Sequence, residues 1–415
     1  MRNVTRTLFA ATILLLASSV VSAADNRPLV GKYVTVIKPD ANFYLPNRRA
    51  TSPALLGSSH LVKGVQGDWL QIGDVGLLRS SDVVSEEAAL DYFNKLVSDN
   101  PSPESYLARG AFYVEQEMPE EAVADLNAAI ERDPNKAVYY EYRGDAWIDQ
   151  EEYDSAMADF NTAIRLDPSS ADAYNGRGNA WYLKEEYDNA IGDYNAAVRI
   201  DPKHSLAYAN RGAAWEALDD PDRALSDYNE SIRLDPSDAW VFDSRGALLS
   251  SQEEYDLAIA DFAAALRLDN EFASAYKNRG DLRSALGEYD LALADYQQSL
   301  SLDAEDEEAW NAFAWLRATC PDEKYRNGAE AINAATRASE LSLWEDGSYL
   351  DTLAAAYAES GQFEQAIHWQ DKALELIPSD EQADGRARLA LYESEEPYRQ
   401  PLADDTEDDD SDEDG

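Results

Sequence analysis

From residue 86 to about residue 394, apolar residues recur at three-and-four spacing with polar residues between them, the pattern of amphipathic helices. The pattern is itself periodic. Gly110, Gly144, Gly178, Gly212, Gly246 and Gly280 stand 34 residues apart, and an alanine follows each by twelve residues, from Ala122 to Ala292. An aromatic residue precedes each glycine by four: Tyr106, Tyr140, Tyr174, Tyr208, Phe242 and Tyr276. Pro134, Pro168, Pro202 and Pro236 close the first four blocks, each behind an aspartate. Every block therefore predicts two helices and a sharp exit. The glycine and the alanine let two backbones approach, the aromatic fills space toward the neighbouring block, and the proline stops the second helix. One such hairpin cannot bury its own apolar face, so the hairpins must stack into a solenoid.

The same phase extends beyond the six regular blocks at 103–304. Ala88, Asp91 and Tyr92 stand 34 residues before Ala122, Asp125 and Leu126, which predicts a lone second helix within the connecting stretch 86–102. Two divergent blocks fill 305–380, the first lengthened by an insertion at Cys320–Asn327. The polar stretch 381–402 predicts a helix that caps the last apolar face. Residues 24–85 have another texture. Val30–Ile37 alternates in the β manner, and Leu61–Val65, Gly67–Gly73 and Gly76–Val84 follow as short apolar runs, about five strands in all.

The helical blocks resemble the tetratricopeptide repeat family. With Gly110 counted as repeat position 8, positions 4, 8, 20, 24, 27 and 32 largely carry that family's residue types over 103–304. Asn270 and Ala304 replace the proline, and Leu249 and Arg283 replace an aromatic at position 11, so the last two regular units should be looser at their ends. The resemblance implies a mainly α fold, a right-handed superhelix of helical hairpins whose first helices line a concave groove. Residues 24–85 are similar to bacterial SH3-like domains, through Gly67-Asp68-Trp69-Leu70 and the closing Gly76-Leu77-Leu78 and Ser81-Asp82-Val83-Val84 runs, which implies a small β-barrel ahead of the solenoid. Trp69 is read as a core residue of that barrel.

Charge sharpens this picture. The chain of 415 residues carries 35 Lys+Arg against 81 Asp+Glu, a formal charge of −46. That excess argues against nucleic acid as a partner, since phosphate binding requires basic stripes. Residues 24–85 hold seven Lys/Arg and five Asp/Glu, so the acidity belongs to the helical array and to the tail 403–415, an acidic, low-complexity run expected to be disordered. Arg2 and Arg6 ahead of the apolar run Leu8–Val21, with small residues at Val21-Ser22-Ala23, read as a signal peptide over 1–23. The run is too short for a membrane span. The mature chain is thus expected to be exported, periplasmic or secreted.

One charge pattern lies inside the repeats. Arg109, Arg143, Arg177, Arg211, Arg245 and Arg279 occupy position 7, and Asp125, Asp159, Asp193, Asp227, Asp261 and Asp295 occupy position 23. Both charges disappear together in the two divergent units, leaving Phe313 with Ala334 and Leu353 with Trp369. Joint loss is what a partly buried ion pair requires, because removing one partner strands the other. The spacing allows pairing within a unit or between neighbours.

No catalytic constellation is present. His60, His204 and His368 are scattered, no phosphate-cradling glycine loop or nucleophile elbow occurs, and the single Cys320 supports no disulfide or metal site. Neither enzymatic activity nor a cofactor is expected. The family resemblance instead implies binding through positions 2, 5, 9 and 12, here Glu141, Asp145, Ile148, Asp172, Asn175, Asn179, Tyr182, Glu216, Trp240, Asp243 and Asp281. Such an acidic groove with apolar islands suits a basic or mixed-charge peptide or protein. The reading is a non-catalytic interaction scaffold. The alternative is a cell-envelope adaptor whose SH3-like domain binds peptidoglycan while the array presents cargo or serves as a structural subunit.

Overall fold

The computed structural model describes residues 33–36, 42–44, 50–53, 59–66, 69–72, 76–79 and 83–401. The signal-peptide, acidic-tail and Trp69 side-chain assignments lie outside the described residues. The chain divides into two compact units, one ending at Ser237 and the other beginning at Asp238.

The first unit opens with seven short strands: β1 (Tyr33–Val36), β2 (Asn42–Tyr44), β3 (Ala50–Pro53), β4 (Ser59–Gln66), β5 (Trp69–Ile72), β6 (Gly76–Arg79) and β7 (Val83–Ser85). They pair antiparallel in the order β3-β2-β6-β5-β4-β1-β7. Thr35, Val36, Leu70 and Val83 are buried. Two strands more than the sequence pattern suggested are present, because β2 and β3 are only three and four residues long and alternate weakly. Among the described residues no pairing joins β3 to β7, so closure into an SH3-like barrel is not seen.

Helices follow: α1 (Glu86–Asp99), α2 (Pro103–Glu115), α3 (Pro119–Arg132), α4 (Ala137–Asp149), α5 (Tyr153–Leu166), α6 (Ala171–Leu183), α7 (Tyr187–Ile200), α8 (Ser205–Ala217) and α9 (Pro221–Leu234). The second unit holds α10 (Ala239–Ser251), α11 (Tyr255–Leu268), α12 (Ala273–Ala285), α13 (Tyr289–Leu302), α14 (Glu307–Thr319), α15 (Gly328–Leu341), α16 (Gly347–Glu359), α17 (Phe363–Leu376) and α18 (Ala383–Glu393). The protein is thus a mainly α solenoid of paired helices. The insertion in the seventh hairpin forms a 3-10 turn at Glu323–Tyr325, and Cys320 beside it is fully buried.

Why the glycines are there is visible in the packing. A Cβ on Gly178 would stand 2.6 Å from the Tyr194 ring, and Gly144, Gly212, Gly246 and Gly280 meet Phe160, Tyr228, Phe262 and Tyr296 in the same way. Those rings, sixteen residues after their glycines, are almost wholly buried. They, and not the aromatics four residues before the glycines, fill the space between the two helices of a hairpin. The earlier aromatics are half-buried.

Helix exit does not need proline. Asp133, Asp167, Asp201, Asp235, Asp269 and Asp303 each accept a bond from the backbone N–H two residues on, at 2.9–3.2 Å. The turn therefore forms equally where Asn270 and Ala304 replace proline, because the aspartate oxygen satisfies the freed amide. Outside the seventh hairpin, the turn joining the two helices uses a left-handed residue: Glu117, Glu151, Glu185, Asp219 and Glu253 at φ 56–63°, then Gly287 at 75° and Gly361 at 71°.

Two substitutions test this geometry by chemical denaturation. Glu185→Gly should stabilise the chain by about 1 kcal/mol, since glycine takes the left-handed conformation without the Cβ clash. Gly178→Ala should destabilise it by roughly 1–3 kcal/mol, because the Tyr194 ring has no room to retreat. A neutral result for both would remove the left-handed turn and the ring contact as constraints.

Candidate functional site

Every regular hairpin carries the same ion pair. Arg109, Arg143, Arg177, Arg211, Arg245 and Arg279 donate through Nε and Nη2 to both carboxylate oxygens of Asp125, Asp159, Asp193, Asp227, Asp261 and Asp295, at 2.6–2.9 Å. Pairing is within the hairpin, and Asp91, which a between-hairpin register would have used, is exposed. The aspartates keep 5–10% and the arginines 16–22% of their side-chain exposure, which makes the pairs partly buried. The hydrogen bonds to Asp193 and Asp227 hold Arg177 and Arg211 above the ordinary arginine range. In the first unit the remaining nitrogen reaches the preceding second helix: Nη1 of Arg109, Arg177 and Arg211 donates to Asn94, Asn161 and Asn195 at 2.9, 2.6 and 2.7 Å, and Arg143 does so to Asn127. The half-buried aromatics now find their role. Their rings lie 5.3–5.7 Å from the guanidinium carbon in the second to sixth hairpins, within cation–π range. Arg283, expected to loosen the sixth hairpin, instead adds a second guanidinium to Asp295 at 2.6 Å. Position 11 supplies a donor in the second hairpin as well, where Trp147 Nε1 reaches Asp159 at 3.1 Å.

The residues expected to face a ligand divide into two groups. Glu141, Ile148, Asn175, Asn179 and Asp243 are buried. Asp145, Asp172, Tyr182, Trp240 and Asp281 are half-buried, and Glu216 is exposed. Position 5 is the main correction, because it serves as a joint between consecutive first helices and not as an open contact. Ser170, the N-cap of α6, donates to Glu141 on α4 at 2.6 Å, and Asn210 on α8 donates to Asn175 on α6 at 3.0 Å. In the second unit Asp243 on α10 accepts from Ser274 at 3.3 Å and Asn278 at 3.1 Å on α12. Lys277 on α12 reaches Glu308 on α14 at 2.7 Å and lies 3.7 Å from Asp281.

Sequence reasoning missed Ser170, His204, Asn210, Ser274 and Asn278 as members of this seam; their signal was a polar residue 29–35 positions after an expected groove residue. His204 caps α8 by accepting from the Ala207 amide at Nδ1, 3.2 Å, which leaves Nε2 to carry the ring proton 3.1 Å from Asp172 Oδ1. Asn179 accepts from the buried Tyr194 hydroxyl at 2.8 Å, Glu216 from Tyr228 and Asp281 from Tyr296, both at 2.8 Å.

Electrostatics set this face apart. Burial pushes Glu141 up to about 7, with Asp172 and Asp167 adding repulsion, and Asp243 up to about 6. Asp145 is held well above the usual carboxylate range by burial and by Asp149, Glu141 and Asp172. Asp172, Glu216 and Asp281 are raised by burial too. Desolvated carboxylates that repel one another attract a cation more strongly than solvated ones. No group of three or more metal-ligating side chains occurs among the described residues.

Two tetratricopeptide repeat family models match the chain, one at residues 107–170, 142–205 and 245–310 and the other at 348–380. No curated protein matches. Among solved structures, the Cut9-Hcn1 hetero-tetramer of the APC/C is similar at 22% identity and a TM-score of 0.56, over 64% of this chain and 52% of that one. This chain thus spans about half the length of that structure, and the likeness is one of fold. YrrB, described as a tetratricopeptide repeat protein with an unusual peptide-binding site, aligns at 25% identity over 45% of this chain and 96% of its own, TM-score 0.36. Pseudomonas aeruginosa pilF aligns at 21% identity over 50% and 94%, TM-score 0.45.

The ion pair and the raised carboxylates each predict a measurable outcome. Arg177→Ala should cost ~3 kcal/mol or more in denaturation experiments by stranding Asp193, while Arg177→Leu with Asp193→Ala should cost less. Equal small losses would show that the pair contributes little. Glu141 holds its proton in the folded chain at pH values where the unfolded chain has released it, so its contribution makes stability fall as pH rises from the ordinary glutamate range through about 7. Glu141→Gln, which keeps an acceptor for Ser170, should therefore raise stability by roughly 1–3 kcal/mol at about pH 8 and change it little at about pH 4. The same gain at both pH values would contradict the assignment.

Proposed function

We propose that this tetratricopeptide repeat protein is a non-catalytic scaffold that binds a basic or mixed-charge peptide or protein segment along the first helices of its early hairpins. The carrying observation is the pair of half-buried carboxylates Asp145 and Asp172, both held above their ordinary pKa by burial, with Tyr182 among the half-buried residues of the same face and the exposed Glu216 beyond them, its pKa raised too. A lysine or arginine side chain placed there would let these groups ionise, so binding would release protons and weaken with salt. Tetratricopeptide repeat proteins mediate protein–protein interactions generally, and no helix of the described residues is long and apolar enough to cross a membrane. The half-exposed Trp240 and Asp281 offer a second, separate contact on the later hairpins. The apolar run Leu8–Val21 supports export of the mature chain, to the periplasm or outside the cell.

A second reading draws on the seven short antiparallel strands that precede the helices. Read as an SH3-like module of an exported protein, they would bind peptidoglycan while the hairpins present cargo. Sedimentation of the full chain with purified sacculi tests this reading, and a chain that stays in the supernatant would eliminate it.

The main reading is tested by fluorescence anisotropy of a labelled Lys/Arg-rich peptide with the full chain. Affinity should drop by at least ~10-fold from low to high salt and by a similar factor in Asp145→Asn with Asp172→Asn. Proton release should also be visible when the titration is repeated by calorimetry in buffers of different ionisation enthalpy, and proton uptake would contradict the reading. Salt-independent affinity that the double substitution leaves unchanged would move the site elsewhere.

A further inference from the structure

The last two hairpins carry an occupied surface. After α18 the chain reverses at Glu395, φ 59°, where the amides of Glu395 and Glu396 bond the carbonyls of Tyr392 and Leu391 at 3.0 and 2.9 Å. Glu393–Glu396 are exposed, and Pro397–Gln400 become half-buried against the first helices α14 and α16. Three unlike contacts hold this short irregular segment. The Tyr398 ring lies 5.8 Å from that of Trp315, and the Arg388 guanidinium lies 5.5 Å from both. Arg399 Nη2 reaches Glu359 at 2.5 Å. The Gln400 amide donates to the Thr319 carbonyl at 2.9 Å, one of the carbonyls that the end of α14 leaves without a helical partner.

We propose that this face of α14 and α16 is a binding site for an extended segment bearing an aromatic residue followed by arginine, and that the chain's own Pro397–Gln400 fills it in cis. An aromatic platform with a cation beside it, a carboxylate for a guanidinium, and a free carbonyl for a backbone amide are what such a peptide needs. Trp315 stands at repeat position 9 of its hairpin, where the tetratricopeptide resemblance places a ligand-facing residue. A tether raises the segment's local concentration to the order of millimolar, so a partner with the same chemistry must outcompete it, and the site stays shut until one does. This inference concerns the second unit alone and does not rest on the acidic face of the first.

The probe is a labelled peptide copying residues 395–401, titrated into the full chain. The unsubstituted protein should bind it weakly, and full-length Tyr398→Ala with Arg399→Ala at least ~10-fold more tightly, with helical circular dichroism unchanged. Adding Glu359→Gln should remove that gain. Equal binding by all three chains, or binding by none, would overturn the proposal. Hydrogen exchange on the unsubstituted chain supplies an independent measurement. The Gln400 amide should exchange well before the core amides of α14 and α16, as expected of a segment that opens without unfolding the helices. Exchange of Gln400 only with global unfolding would make the segment a permanent part of the fold and overturn the proposal.

Discussion

The bidentate arginine–aspartate pair inside each regular hairpin is the constraint on which the array depends. Removing two charges from water is unfavourable, and the cost is offset only when geometry is good and the remaining hydrogen-bonding atoms are matched. Here both carboxylate oxygens are taken by Nε and Nη2, and in the first unit Nη1 is taken by an asparagine of the preceding helix in the second-helix row. A lysine would reach the carboxylate but could not span both partners in a plane. The pair also fixes the rotation of the first helix, and that rotation aims Gly178 and its equivalents at the ring sixteen residues later. Electrostatics and close packing thus specify one register, each making the other possible.

The first-helix face follows a related rule with a different outcome. Buried polar groups must be answered, and Glu141, Asn175 and Asp243 are answered by the next hairpin. That arrangement couples neighbours, yet it concentrates carboxylates where burial and mutual repulsion oppose their charge. A structure built only for stability would have placed amides there. Carboxylates whose charge is opposed by burial are a standing tension that a cationic ligand can relieve, and the binding proposal rests on that tension.

Much of the architecture was legible in the sequence because each element repeats. Six glycines and six Arg/Asp pairs in phase leave little freedom, and the hairpin boundaries follow from them. What the pattern concealed was distance in the third dimension. The aromatic residues at positions 4 and 24 look interchangeable along the chain; one lies against an arginine and the other fills the hairpin core. Position 5 looked like a ligand contact because its partners, such as Ser170 and Asn210, lie 29 and 35 residues away and share no motif with it. Proline seemed to end the helices, whereas the aspartate before it makes the bond that forms the turn. The left-handed glutamates left no signal, since that position usually announces itself through glycine.

The end of the array shows what happens when the repeating interaction stops. With Phe313, Ala334, Leu353 and Trp369 in place of the charges, the last two hairpins have apolar contacts where the earlier ones have ion pairs. A terminal hairpin has no successor to cover it, so its exposed face needs a substitute. The chain supplies α18, whose Arg388 reaches the buried Asp351 at 2.9 Å and so restores one arginine–aspartate contact between helices. Gln370 completes that site by donating to the same carboxylate at 2.6 Å. Arg388 has a second role beyond the cap, because its guanidinium also faces Trp315 and Tyr398. One residue therefore joins the structural cap to the returning segment. The cap must stay for the fold to persist, whereas the segment beyond Glu396 adds an aromatic contact, an ion pair, a backbone bond and the packing of Tyr398 against the edge of the last apolar cluster. That difference in dependence is what allows the same surface to be finished for stability and still be available for exchange.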